Sequence, residues 1–147
     1  MLAAAEFRRG WSGDKSHPKH VAEEIIDRVG LRDVADMRVD ALPTGLARLV
    51  ELGRALATRP RLLLLDEPGS GLDSTESEAL GDLLLELADG GMAILLVEHD
   101  VDLVMRICDR IHVLDFGKVI SVGTTAEVQA DPAVQAAYLG AEVEDVA

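Results

Sequence analysis

Two periodicities divide the chain. Between Val21 and Val29 the apolar residues Val21, Ile25, Ile26 and Val29 recur at helical spacing around Glu23, Glu24, Asp27 and Arg28, and Gly30 follows as a C-cap. That predicts a small amphipathic helix, with Leu31 to Asp40 as a second, short and polar-rich helical turn. From Ala47 to Thr58 a longer helix is expected. Leu46, Leu49, Val50, Gly53 and Leu56 line its apolar face, Arg48, Glu51 and Arg54 fall largely outside that face, and Pro60 enforces the stop. Then the pattern changes. Leu62 to Leu65 is an uninterrupted apolar run, which suits a strand buried on both faces of a parallel sheet. Leu80, Leu83, Leu84 and Leu87 return to helical spacing, with Asp73 and Glu76 placed as a reciprocal cap and Gly90-Gly91 as the stop. Met92 to Val97 is the next buried strand. Strand, helix of about 15 residues and strand make one βαβ crossover, hence a parallel pair.

Beyond it, Asp100 is placed to open a helix over Val101–Asp109. Ile111 to Leu114 and Lys118 to Val122 flank Asp115-Phe116-Gly117 as a hairpin. Gly123-Thr124 and Asp131-Pro132 each start a short helix, with Pro132 at the first helical position. Residues 1–17 carry no strong periodicity, and Gly10, Gly13 and Pro18 mark a loop. Ala141 to Ala147 reads as a mobile acidic tail.

Composition narrows the class. A chain of 147 residues with 48% hydrophobic but only 3% aromatic content is a Leu/Val/Ala-rich α/β protein of one ordinary domain's size. Its net charge of −13, from 27 acids against 14 bases, repels nucleic-acid phosphates and anionic lipid. Arg8, Arg9, Lys15 and Lys19 are too dispersed to form a basic patch, so no nucleic-acid partner is expected. Cys108 is the only cysteine, which excludes an internal disulfide, argues against structural zinc, and reads as a small buried hydrophobe. Met1 to Gly10 lacks the apolar core of a signal peptide, and no stretch approaches the roughly 20 apolar residues of a membrane span. The expected location is cytoplasmic, with any membrane attachment made through a partner.

Chemistry collects at the strand ends. Asp66 and Glu67 follow the four leucines directly, Pro68 stops the strand, and Gly69 to Gly71 turn the chain. Core packing has no use for two adjacent carboxylates there. The carboxyl edge of a central strand is where open α/β sheets place ligands. His99 directly after the second strand occupies the same edge, and its distance from Asp66-Glu67 in this β–α–β framework makes it a stronger candidate than a lone histidine would be. Glu98 and Asp100 beside it read as solvated or capping.

Leu62–Glu67 resembles the Walker B strand of the ATP-binding cassette (ABC) ATPases, with Ser70-Gly71-Leu72-Asp73 as the D-loop and His99, in Val97-Glu98-His99-Asp100, as the switch histidine. The resemblance implies that Asp66 holds the Mg²⁺ of Mg-ATP through water and that Glu67 orients or deprotonates the attacking water. It also implies that His99 contacts the γ-phosphate and that Asp73 reaches across a dimer interface. Phosphoryl transfer needs mainly positioning and charge neutralisation, which suits such a set. Leu42-Pro43-Thr44-Gly45-Leu46 stands where the family has its Leu-Ser-Gly-Gly-Gln signature. Only Leu42 and Gly45 agree, so phosphate contact would fall to Gly45 and to Thr44, whose hydroxyl is expected to cap the helix. The tail, Gly123-Thr124-Thr125 through Tyr138-Leu139-Gly140, is similar to the end of the ATPase subunits of branched-chain amino-acid importers.

The fold implied is α/β, the C-terminal part of a P-loop NTPase domain of ABC type: a parallel sheet core with flanking helices, then a β-hairpin and short helices. Residues 18–60 would close the helical subdomain and carry the signature helix. Residues 61–123 would supply the core strands, and 124–147 the C-terminal helices and acidic tail. The family's phosphate loop, Gly-x-x-x-x-Gly-Lys-Ser/Thr, does not occur: Lys15, Lys19 and Lys118 all lack its glycines. The expectation is therefore a partial nucleotide-binding domain of an importer, inactive by itself. Its implied cofactors are ATP and Mg²⁺. Its implied partners are a second nucleotide-binding subunit, forming a homo- or heterodimer, and membrane permease subunits. The alternatives are an inactive module that docks on a complete ABC subunit, and a non-transport ABC ATPase.

Overall fold

A computed structural model of the chain describes residues 1–12 and 16–139. Two compact units divide after Asp100. The first holds helices α1 (Leu2–Ser12), α2 (Pro18–Arg28) and α3 (Thr44–Leu56), strand β1 (Leu62–Asp66), helix α4 (Ser74–Asp89) and strand β2 (Ala93–Val97), with 3₁₀ turns at Arg32–Val34 and Val39–Ala41.

Helix α1 occupies Leu2–Ser12, within the stretch expected as a loop. Leu2 to Ala5 form a good helix-forming start, and Ala5, small and 5% exposed, lets α1 lie close against α2. Helix α2 buries Val21, Ala22 and Ile25, the apolar face read from its periodicity with Ala22 added. Helix α3 begins earlier than the pattern predicted. It buries Gly45, Leu52, Gly53 and Leu56, leaving Leu49 and Val50 half-buried. Pro43, not Thr44, is its N-cap, and no side chain caps it. Thr44 already lies inside the first turn, where its hydroxyl cannot take the cap position.

Helix α4 follows its sequence pattern closely. Leu80, Leu83, Leu84 and Leu87 are 2, 8, 2 and 4% exposed. Both halves of its capping box form: Asp73 Oδ1 accepts the Glu76 N–H at 2.8 Å, and Glu76 Oε2 accepts the Asp73 N–H at 3.0 Å. The crossover makes β1 and β2 parallel and in register, Leu62 opposite Ala93 through Asp66 opposite Val97. On one face Leu63 is 4% exposed and Leu65, Ile94 and Leu96 are half-buried. The other face is bare, contrary to the expectation of burial on both sides. Leu62, Leu64, Leu95 and Val97 are 55, 65, 60 and 56% exposed. Nothing among the described residues lies over them, and a two-stranded sheet leaves both edges open.

The second unit comprises α5 (Val101–Ile107), the antiparallel strands β3 (Ile111–Asp115) and β4 (Lys118–Gly123), α6 (Thr125–Ala130), and a turn α7 (Pro132–Val134) that runs into a π-helical stretch, Gln135–Leu139. Phe116 and Gly117 both take positive φ, 44° and 75°, as the tight turn of a two-residue hairpin requires. A register shift after Val113 inserts Ile120 as an extra residue, packed on the core of Val113, Val128 and Val134. Thr124 and Glu127 form a second capping box, and Asp131 Oδ1 caps α7 by accepting the Ala133 N–H at 2.9 Å. Cys108 is half-buried, and burial, then Asp109, pushes its thiol pKa up. The expected acidic tail, 141–147, lies outside the described residues, as does Gly13.

Candidate active site at the carboxyl ends of β1 and β2

The parallel register places the ends of β1 and β2 side by side, so the residues that follow each strand meet. Asp66, the last residue of β1, is exposed and alternates onto the same bare face as Leu62 and Leu64. The next residue breaks the strand conformation. Glu67 has φ 46°, in the left-handed region that side chains other than Gly, Asn and Asp rarely adopt. Its N–H still donates to the Val97 carbonyl at 2.8 Å, and its own carbonyl accepts from Ser70 N–H at 3.2 Å. The backbone is thus held at both sides of the strained residue, and the strain turns the Glu67 carboxylate toward the end of β2. There His99 Nδ1 lies 3.6 Å from Glu67 Oε1, with the two side chains 73% and 53% exposed.

Sequence reasoning missed one member. Glu98, read as solvated or capping, has a side chain only 1% exposed. Its Oε1 accepts the Gly69 N–H at 2.8 Å, and its Oε2 accepts the His99 N–H at 3.1 Å. The available signal was its position between a strand and the candidate histidine; an acid there was free to face either way.

Asp73, at the far end of the same turn, is committed through one oxygen to capping α4. Thr44 and Gly45 meet this turn from the other side. A Cβ on Gly45 would stand 2.6 Å from Leu72 Cδ2 and 2.9 Å from the Gly71 carbonyl oxygen, while Gly71, at φ 82°, faces the Thr44 side chain. The start of α3 and the turn before α4 therefore form one packed unit within this chain. Of the six residues singled out from sequence, Asp66, Glu67 and His99 gather at the strand ends. Asp73, Thr44 and Gly45 gather around the turn Ser70–Asp73.

Among the described residues no three His, Cys, Asp or Glu side chains are arranged to hold a metal ion by themselves, and Asp66 has no ion pair. That donor set fits Mg²⁺ carried in by a nucleotide, because Mg²⁺ takes one or two carboxylates and completes its shell with water and phosphate oxygens.

A parallel β–α–β unit with two carboxylates and a histidine at the carboxyl ends of its strands is an α/β ligand-binding edge, and the fold it shares with solved ATP-binding cassettes is that of the P-loop NTPase class. Sequence comparison then names the family. The profile described as ABC transporter matches residues 3–70, and that described as branched-chain amino acid ATP-binding cassette transporter matches 118–144. LivG of Salmonella typhimurium, a high-affinity branched-chain amino acid transport ATP-binding protein, is 38% identical over 141 residues, covering 95% of this chain and 54% of its own length. LptB of Haemophilus influenzae, a lipopolysaccharide export system ATP-binding protein, is 31% identical over 95% of this chain and 57% of its own. Among solved structures, MJ1267, an ATP-binding cassette of an ABC transporter, superposes with a TM-score of 0.74 at 31% identity, covering 85% of this chain and 51% of that one. Both profiles and these relatives match the chain as an ABC transporter ATP-binding domain, and it spans about half the length of the curated relatives it matches.

Proposed function

We propose that this chain supplies the hydrolytic strand ends and the signature helix of an ABC importer ATPase that drives uptake of branched-chain amino acids. The observation that carries the ATPase part is the meeting of Glu67 and His99 at 3.6 Å beside the exposed Asp66. In this reading Asp66 holds Mg²⁺ through water, and the bound Mg-ATP supplies the phosphoryl group and part of the charge neutralisation. Glu67 orients the attacking water and accepts its proton, and the turn that imposes φ 46° aims the carboxylate. His99 steadies Glu67 and contacts the γ-phosphate. Gly45, Thr44 and Asp73 face a second nucleotide-binding subunit across a dimer interface, and permease subunits link the pair to the cytoplasmic side of the membrane. The solute assignment rests on the family profile over 118–144 and on LivG. LptB shows that comparable identity extends to export systems.

The phosphate loop does not occur in these 147 residues, so by themselves they are expected not to hydrolyse ATP. The test adds the corresponding N-terminal half of LivG, carrying such a loop. Mg²⁺-dependent hydrolysis should appear and fall by at least about 100-fold with Glu67→Gln. Activity that survives Glu67→Gln overturns the assignment of the base. No activity, together with tight binding to a complete ABC subunit, marks an inactive docking module instead. Uptake of leucine by vesicles bearing the matching permease tests the solute.

A further inference from the structure

One buried acid lies beside the site without a role in that reading. Glu98 is 1% exposed at its side chain, between His99 at 73% and, across the strand pair, Glu67 at 53%. A carboxylate is costly to bury unless its oxygens are supplied with donors. Here each oxygen has one, and the two donors come from different loops. Oε1 takes the N–H of Gly69, two residues beyond Glu67, and Oε2 takes the N–H of His99 itself. Backbone N–H groups bonded to an ionised acceptor make stronger and shorter bonds than neutral pairs. The Gly69 carbonyl in turn accepts from Leu72 N–H at 3.1 Å, so the tie extends along the turn to the residue before Asp73.

We propose that Glu98 is the positioning residue of this site, a buried clamp that fixes the turn after Glu67 and the backbone of His99 in one frame. The proposal rests on the ATPase reading for its consequence and on the two hydrogen bonds for its geometry. It explains why an acid occupies a position that the strand pattern would give to an apolar residue. The main-chain bond from Glu67 N–H to the Val97 carbonyl joins the strands just before the reactive residues. The Glu98 bonds join them just after. With both in place, the backbones that carry Glu67 and His99 are held in one frame on either side of the reactive residues. Glu98 touches neither water nor phosphate in this role.

The test has two arms. In the 147-residue chain labelled with ¹⁵N, Glu98→Gln should move the Gly69 and His99 amide protons upfield, because one of the two acceptor oxygens becomes an NH₂ group that cannot accept. The amides of Leu63 and Leu84 should stay in place and report that the fold persists. In the chain completed with the LivG half, Glu98→Gln should lower kcat about tenfold and Glu98→Ala roughly 10- to 100-fold, with the KM for ATP within about twofold. A residue that only stabilised the fold would leave kcat per folded molecule unchanged. Unmoved Gly69 and His99 amides overturn the clamp, and moved amides with unchanged kcat overturn its positioning role. A completed cassette that is inactive with Glu98 intact overturns the ATPase reading, and the amide shifts alone then decide whether Glu98 holds the turn.

Discussion

Glu67 carries a conformational cost that its neighbours do not. A left-handed conformation disfavours a residue with a Cβ by about 1–2 kcal/mol, and only tertiary constraint keeps it there. Glycine removes that cost, whereas alanine keeps it. Glu67→Gly is therefore expected to be more stable than Glu67→Ala by about 1 kcal/mol in chemical denaturation. The completed cassette should lose hydrolysis with either. Equal stabilities would mean that the turn relaxes and that the φ of 46° is not imposed by its surroundings. That Asp66, Glu67 and His99 come together was legible from sequence, because they stand at the ends of the two strands of one β–α–β crossover. The strain at Glu67 and the burial of Glu98 were not. Residue order shows that a turn follows β1, but not which backbone N–H groups the turn leaves pointing at the end of β2.

At the scale of elements, the contact between α3 and the turn before α4 is the tightest backbone approach bearing on the site. A methyl group at Gly45 would meet Leu72 Cδ2 at 2.6 Å and the Gly71 carbonyl oxygen at 2.9 Å, and the second of these is backbone that cannot swing aside. Gly45→Ala should therefore destabilise the chain by about 1–3 kcal/mol, the range for overpacking, read as a lowered denaturation midpoint at constant slope. It should also disturb the amides of Gly71 and Leu72 more than those of β2. An unchanged midpoint would show that α3 and the turn can part freely. Helix α4 was readable in full, because its apolar spacing and its cap both lie within a short stretch of chain. Helix α1 was not, since its small alanines carry no periodic signal and its burial comes from α2. The Thr44 cap failed for a local reason: α3 starts one residue earlier than a capping hydroxyl at position 44 requires.

For the molecule as a whole, the bare side of the β1–β2 sheet is the feature most at odds with its sequence. The leucine run was read as buried on both faces because parallel strands are covered on both faces in α/β proteins. The composition of Leu62, Leu64, Leu95 and Val97 still states that requirement, while their exposures of 55–65% show it unmet within these residues. Burying four such side chains is favourable by about 1.5–3 kcal/mol each, and both strand edges offer unpaired backbone groups. The 147-residue chain by itself is accordingly expected to bind an apolar dye and to sediment with a concentration-dependent mass. Leu64→Thr with Leu95→Thr keeps strand propensity while removing the central apolar pair, which lie opposite one another in the register. That double variant should reduce both signals and leave the α4 core, read from the Leu80 and Leu84 amides, undisturbed. Adding the LivG half should quench the dye signal of the unmodified chain and should do so less well for the double variant, since the covering layer would find a polar face. A monomeric chain that ignores the dye would mean that this face is satisfied in another way and that the leucine run needs no further covering layer.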